Sequence, residues 1–241
     1  NSGRRQRQMC IRDRSKCNPK KIKTCKLDVV FHPRVARTIL AHFASLVNGS
    51  SIVRGSSFLK EKLNHKIFHN EINIIDNPLV IRGLSSKPFD DEGCSMNELS
   101  LVKNGVLKNW LLDTTTSKQL GMMSNSRASR GVSSPPTPSH TNLFIDNGNK
   151  STEQILSEVN NGFYVTDLIG QGVNLITGDY SRGASGFKIE NGKISFPINE
   201  VTIADNLNNM FKKIIISNDL ELLYSINSPT FAIEGMTIAG V

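Results

Sequence analysis

Between Arg34 and Asn48 the apolar residues Val35, Ile39, Leu40, Phe43, Leu46 and Val47 recur at helical spacing, with Pro33 before them and Gly49 after. This predicts an amphipathic helix with a proline start and a glycine stop. A shorter helix is expected over Ser56–Asn64, with Phe58, Leu59 and Leu63 inward. The period then changes to that of strands. Glu71–Ile75 reads as a strand ended by Asp76, Asn77 and Pro78, and Glu98–Asp113 as two β-rich arms around Asn104-Gly105. Asn-Gly readily takes the paired positive φ values of a tight hairpin turn. A second such pair, Asn191-Gly192, predicts a hairpin over Gly186–Pro197, with Phe187 and Ile189 facing Ile194 and Phe196.

Elsewhere Thr141–Asp146 reads as strand, and Ser151 with Gln154 forms a capping box for a helix through Val159, closed by Gly162. Strands are expected near Phe163–Ile169 and Val173–Ile176, a helix near Ile203–Lys213, and closing strands at Glu221–Ile226 and Thr230–Ile233. Strands and hairpins with interspersed helices, without regular βα alternation, predict an α+β domain of largely antiparallel β-sheets. No internal repeat or inter-domain linker interrupts it.

The 241 residues are 38% hydrophobic and 21% charged, which suits a chain that buries a core without staples. Apolar runs such as Ile214–Ile216 fall far short of the ~20 residues that cross a bilayer, and no secretory h-region is visible. No membrane partner is expected. The net charge of +8 invites a nucleic-acid reading, but ten of 29 Lys and Arg residues and one of 21 acidic residues lie in 1–26. That leaves 19 basic against 20 acidic residues over 27–241, so the remainder has no global attraction for phosphate.

The stretch RRQRQMCIRDR over Arg4–Arg14 resembles a peptide translated from a sequencing adapter. Residues 1–26 are therefore read as a non-native or disordered basic tail, and 27–241 as one domain. The rival, a basic arm that binds nucleic acid, would need aromatic or amphipathic interleaving, and 1–26 contains no aromatic residue. Cys10, Cys17, Cys25 and Cys94 form neither a disulfide framework nor a zinc spacing, so a reducing, cytoplasmic setting is expected.

Candidate chemistry is sparse. His65 and His69 share helical spacing in HKIFH, but Lys66 stands where a zincin carries its glutamate. They read as surface or loop histidines. No GxSxG occurs, and the acids Asp90, Asp91 and Glu92 disfavour a thiolate at Cys94. That acidic run reads as a solvated turn, and Gly170-Gln171-Gly172, with Leu175 in place of a third glycine, as turn glycines. The polar stretch Gly121–Thr141 is harder to dismiss. Arg127 and Arg130 bring positive charge near Pro135, Pro136 and Pro138, which stiffen the chain toward extended forms that can hold a peptide.

Five stretches together carry a resemblance: VVFHPRVA (Val29–Ala36), GSSIVRGSSFL (Gly49–Leu59), RGLSSKPFDDEG (Arg82–Gly93), SRGVSSPPTPSHTNLFI (Ser129–Ile145) and VNLITGDYSRGASGFKIENGKISFPINEVTIADNL (Val173–Leu207). Over about 27–241 the chain resembles the C-terminal domain of the TldD/PmbA metallopeptidase family, nearest its PmbA (TldE) branch. The resemblance implies a cytoplasmic TldD–TldE heterodimer that degrades or processes unfolded peptides, with zinc held by the TldD subunit on a HExxxH helix and by a late cysteine. Matched to Arg34–Asn48, that motif falls on Leu40, Ala41 and Ser45, with His42 displaced, and no cysteine follows Cys94. An apolar Leu40 and Ala41 cannot hold Zn2+ or activate water. The implied role is a subunit with no catalytic residues, metal ligands or cofactor of its own, partnered by a TldD-like zinc-bearing subunit and an extended peptide. Arg130, Pro135, Pro136 and Asn142 are the candidate cleft-lining residues. A self-sufficient peptidase with an unrecognised site, or nucleic-acid binding through the basic arm, are the alternatives.

Overall fold

In the computed structural model, residues 16–240 are described; the adapter-like stretch expected over 4–14 lies outside the described residues. Strand β1 (Cys25–Phe31) takes in two residues of the basic stretch and runs into helix α1 (Pro33–Leu46). His32 makes the switch. Its Nδ1 accepts from the Arg34 backbone N–H at 3.1 Å, and Pro33 occupies the first turn, where a missing N–H costs no helical hydrogen bond. Val35, Ile39, Leu40, Phe43 and Leu46 face inward, as their spacing predicts.

Asn48 caps helix α2 (Gly49–Arg54), its Oδ1 accepting from Ser50 N at 3.0 Å, and Gly55 stops it at φ 70°. The helix expected over Ser56–Asn64 does not form; this stretch runs as turns. Ser57 Oγ accepts from Leu59 N at 3.1 Å, and Phe58 N donates to Leu175 O at 3.1 Å. These bonds take backbone groups that a helix would need.

Strands β2 (Ile74–Asp76), β3 (Leu99–Lys103) and β4 (Val106–Leu107) follow, with the β3–β4 turn made by Asn104 and Gly105 at φ 49° and 76°. Helix α3 (Thr114–Leu120) carries a reciprocal Asp113–Thr116 capping box that the sequence reading lacked. Strands β5 (Ala128–Ser129) and β6 (Thr137–Pro138) make a short ribbon of the Pro-rich segment, and β7 (Leu143–Ile145) comes next. Helix α4 (Thr152–Glu158) has the expected box: Gln154 N donates to Ser151 Oγ at 3.2 Å and Ser151 N to Gln154 Oε1 at 2.7 Å.

Strands β8 (Asn161–Ile169), β9 (Asp179–Glu190) and β10 (Lys193–Asn206) form a long antiparallel meander, with Asn191 and Gly192 at φ 49° and 75° in its second turn. Ile194 opposes Ile189 as expected. A register shift beyond it sets Phe187 opposite Pro197 rather than Phe196. The strand expected over Val173–Ile176 reduces to a single Val173–Tyr180 bridge. Because β-branched Val201, Thr202 and Ile203 continue β10, helix α5 spans only Leu207–Lys213, with Asn206 as its cap. Strands β11 (Ile214–Ile216), β12 (Ile226–Asn227) and β13 (Phe231–Ala239) complete the described chain.

The larger sheet has the order β1-β8-β9-β10-β13-β11, and β13 pairs back with β1, closing a ring of strands. The second sheet has the order β12-β7-β2-β3-β4. Pairing is antiparallel except at β1–β8 and β7–β12, so the expected α+β class with largely antiparallel sheets is what forms. One apolar core joins the inner face of α1 to both sheets, with Phe68 stacked on Phe211 at 4.5 Å and Phe43 edge-on to Phe68 at 5.4 Å. That packing fixes the rotation of α1 and leaves Arg37, Thr38, Ala41 and His42 half-buried on its opposite face.

Candidate functional site

The outer face of α1 carries Arg37, Thr38, Ala41 and His42, spaced as one stripe of a helix. Facing it are Gln171, Val173 and Leu175 from the β8–β9 connection, Arg182 from β9, and Ser225 and Ile226 at the start of β12. Together they wall a cleft of about 480 Å³. The connection is held firmly. Gly172 lies so close to β9 that a Cβ would meet Ser181 O at 1.9 Å, and Leu175 O accepts from Phe58 N. Gly170-Gln171-Gly172 thus serves as a turn, as expected.

At the cleft wall and directly behind it, where Tyr180 is buried, polar groups outnumber their partners. The His42 ring lies 6.3 Å from that of Tyr180, edge-on, and its Nε2 has no hydrogen-bond partner. The Tyr180 hydroxyl and Arg182 Nε are likewise buried and unpartnered. Burial, then the Arg182 charge, pushes the His42 pKa below its ordinary value, which keeps the imidazole neutral near pH 7. Burial pushes the Tyr180 hydroxyl up, so it stays protonated. Arg37 lays its guanidinium over the Tyr224 ring at 4.0 Å and donates from Nε to Arg34 O at 3.2 Å. No acidic residue lines the cleft, and among the described residues neither Arg37 nor Arg182 is in an ion pair.

The residues present do not fit a zinc ion. Among the described residues no three His, Cys, Asp or Glu side chains converge, and the cleft offers one imidazole between two guanidinium groups that repel a cation. Of the positions matched to the HExxxH motif, only Ala41 reaches the cleft wall. Leu40, 1% exposed, is packed in the core, and exposed Ser45 donates to Ala41 O at 3.1 Å.

The Pro-rich ribbon lies apart from this cleft. Arg130 and Pro135 are exposed near its tip with half-buried Pro136; the Arg130 backbone N–H donates to Asp91 Oδ2 at 2.8 Å. Asn142 is buried elsewhere, donating to Asn77 O at 2.9 Å and Ser86 Oγ at 2.8 Å and accepting from Ser85 N at 3.0 Å. None of these four residues lines the cleft. The ribbon is tied to the junction of α1 and α2 by Asn48, whose Nδ2 donates to Pro138 O at 2.7 Å.

Arg127 departs from its expected role of offering charge to a peptide. It is 1% exposed and paired at 2.5 Å with Asp76, which is fully buried. Its other N–H groups reach Asn125 O at 2.8 Å and Asn97 O at 2.5 Å, while Asp76 also accepts from Thr141 N at 2.6 Å. This hub ties the ribbon to β2. The acidic run is structural too: Asp90 Oδ1 accepts from Glu92 N and Cys94 N, and Glu92 Oε2 accepts from Thr114 N at the start of α3. His65 and His69 are exposed in a loop, as read. The sequence reading missed Arg37, Arg182, Tyr180 and Tyr224; only the polar face of α1 could have pointed to the first.

Residues 24–240 match the family model described as the PmbA/TldA metallopeptidase C-terminal domain. The chain is 38% identical over 227 residues to metalloprotease PmbA of Escherichia coli O157:H7, covering 94% of this chain and 48% of that protein. It is 37% identical over 228 residues to the metalloprotease PmbA homolog of Buchnera aphidicola subsp. Baizongia pistaciae, covering 94% of this chain and 49% of the relative. The chain therefore spans about half the length of the curated relatives it matches. A crystal structure from Bacteroides thetaiotaomicron, described as a proposed modulator of DNA gyrase, superposes with a TM-score of 0.87 at 29% identity, covering 98% of this chain and 52% of that one. TldE from Thermococcus kodakarensis shares the fold, with a TM-score of 0.85 at 23% identity over 94% of this chain and 53% of that one.

Proposed function

This chain belongs to the PmbA/TldD metallopeptidase family, and we propose that it is a PmbA/TldE-like subunit with no metal of its own, which shapes the peptide cleft for a zinc-bearing, TldD-like partner. The observation that carries the reading is the outer face of α1. Where a hydrolytic metal site needs clustered donors and a base, this face presents Arg37, Thr38, Ala41 and His42, opposite Arg182. Two fixed cations and a neutral imidazole cannot hold Zn2+, and no cleft carboxylate is available to take a proton from water. Bond cleavage then falls to the partner subunit. This subunit contributes an orienting surface for an unfolded, extended peptide, with Arg130, Pro135 and Pro136 on the ribbon tip along its path. The setting is cytoplasmic. Among the described residues no helix is long and apolar enough to cross a membrane.

The test is co-purification with a TldD-like subunit, metal analysis of each chain, and digestion of an unfolded peptide. Stable association, zinc in the partner alone and cleavage only by the pair are expected. One equivalent of zinc held by this chain, with turnover in the partner's absence, overturns the reading in favour of a self-sufficient peptidase. Salt-sensitive DNA or RNA affinity that disappears on deleting residues 1–26 would favour the basic-arm alternative.

A further inference from the structure

Two arginines outside the cleft are held by carboxylates of the chain itself. Arg34 pairs with Asp167 at 2.6 Å, and Arg127 with Asp76 at 2.5 Å. The cleft arginines do neither. Arg182 Nε is buried without a partner, and Arg37 is held flat by Tyr224, with its fork beside the cleft. A buried polar atom left unpaired is rare and costs about 1–3 kcal/mol. Among the described residues, three of the four such side-chain atoms belong to neighbours: the His42 ring lies 6.3 Å from that of Tyr180, and the Arg182 charge acts on both. Two guanidinium groups with no acid in the wall, beside an imidazole whose Nε2 is unpartnered, are complementary to an anion.

The remaining wall narrows the anion's class. Ala41, Val173, Leu175 and Ile226 give the cleft an apolar side, suited to an aliphatic side chain lying next to the charged group. A planar guanidinium fork matches a carboxylate in two parallel hydrogen bonds. With 27–241 close to neutral overall, no wider positive field calls for a polyanion.

From this we infer that the α1 cleft is a carboxylate-binding subsite, in which Arg182 and Arg37 grip the carboxylate of a peptide while His42, backed by the buried Tyr180 ring, completes its hydrogen bonds. The carboxylate comes either from the peptide's C-terminus or from an Asp or Glu side chain. The inference deepens the peptide-orienting role and rests on it only in naming a peptide as the carrier. Binding is measured on this chain alone, so a failure here leaves the partner experiment untouched, and the reverse.

The probes are three acetylated tetrapeptides titrated calorimetrically into the 241-residue chain: Leu-Ala-Val-Leu with a free C-terminus, the same sequence amidated, and Leu-Glu-Val-Leu amidated. One or both carboxylate peptides are expected to bind, in a salt-sensitive manner, and the neutral amide not to; which of the two binds identifies the source. Arg182→Gln is expected to weaken binding by about tenfold or more, the scale of a lost charged hydrogen bond. Arg37→Gln should weaken it by a smaller factor. Thermal melts establish that each variant is folded, and if Arg182→Gln is not, the outer-face variant Arg37→Gln decides. Equal binding of the neutral amide, no binding of any peptide, wild-type affinity in the folded variants, or tighter binding of inorganic phosphate than of either carboxylate peptide would each overturn the inference.

Discussion

Arg127 is buried among a full set of partners, whereas Arg182 is half-buried at a cleft wall with its Nε out of water and unpaired. Around Arg127 the polar groups come from Asp76, Asn97, Asn125 and Thr141, so three loops and a strand are locked into one arrangement. Around Arg182 the neighbours are His42 and Tyr180, which are themselves unpartnered. The first network is closed and its worth is structural. The second is open, and the partners it lacks have to come from outside the chain. Charge alone does not distinguish a binding arginine from a structural one; the state of its hydrogen bonds does.

The largest effect follows from breaking the closed network. Arg127→Met leaves Asp76 as a buried, uncompensated carboxylate, and urea unfolding should show a loss of about 3–5 kcal/mol. Adding Asp76→Leu should restore part of that loss, because the isolated charge disappears with its partner. No recovery in the double variant would mean that the ribbon is held by something other than this pair.

Next in size is Gly172→Ala on the cleft wall. The new methyl would meet Ser181 O at 1.9 Å, so the β8–β9 connection must shift, at a cost of about 1–3 kcal/mol. The displaced wall should also lower affinity for the carboxylate peptide. An unchanged unfolding midpoint would show that the connection yields freely and that the cleft is softer than its contacts indicate.

Arg182→Gln gives the sharpest contrast with Arg127→Met. It removes a cation in no ion pair among the described residues, together with an unpaired buried Nε, so stability should not fall. A loss comparable to that of Arg127→Met would erase the distinction between the two sites and make Arg182 a structural residue.

Much of the architecture was legible where the determinant is local. Asn104-Gly105 and Asn191-Gly192 set their own turns through positive φ, and Ser151 with Gln154 closes its box within four residues. Errors arose where distant contacts decide. β1 carries no clear period of two because CKLDVVF is buried on both faces toward its end and draws its register from β8 and β13. The Ser56–Asn64 pattern is helical, but Leu175, far along the chain, claims the Phe58 N–H. The cleft was less legible still. The loss of ligand types along α1 could be read directly, but that its outer face meets Arg182 and Ile226 depends on strand order in two sheets. Pro135 and Pro136 drew attention as stiff, extended chain, while the unpartnered polar atoms were brought together only by folding.

The smallest predicted effect is also the most specific to the open site. Burial first, and the Arg182 charge second, hold the folded-state pKa of His42 below its ordinary value of 6.5. As pH falls from about 6.5, the unfolded chain takes up a proton that the folded chain refuses, so stability decreases with falling pH. His140 acts in the same direction, its burial outweighing the opposing pull of Asp76. His42→Gln should therefore flatten, without abolishing, the decline in stability between about pH 6.5 and 5. Arg182→Gln should flatten it by less, because the charge is removed but the burial remains. A carboxylate peptide bound between Arg182 and Arg37 would oppose the arginine's influence on the imidazole and raise the His42 pKa, an upward shift that imidazole NMR titration can follow. If the peptide leaves that titration unmoved while still binding, its carboxylate sits away from Arg182, and the open network is completed by some other group.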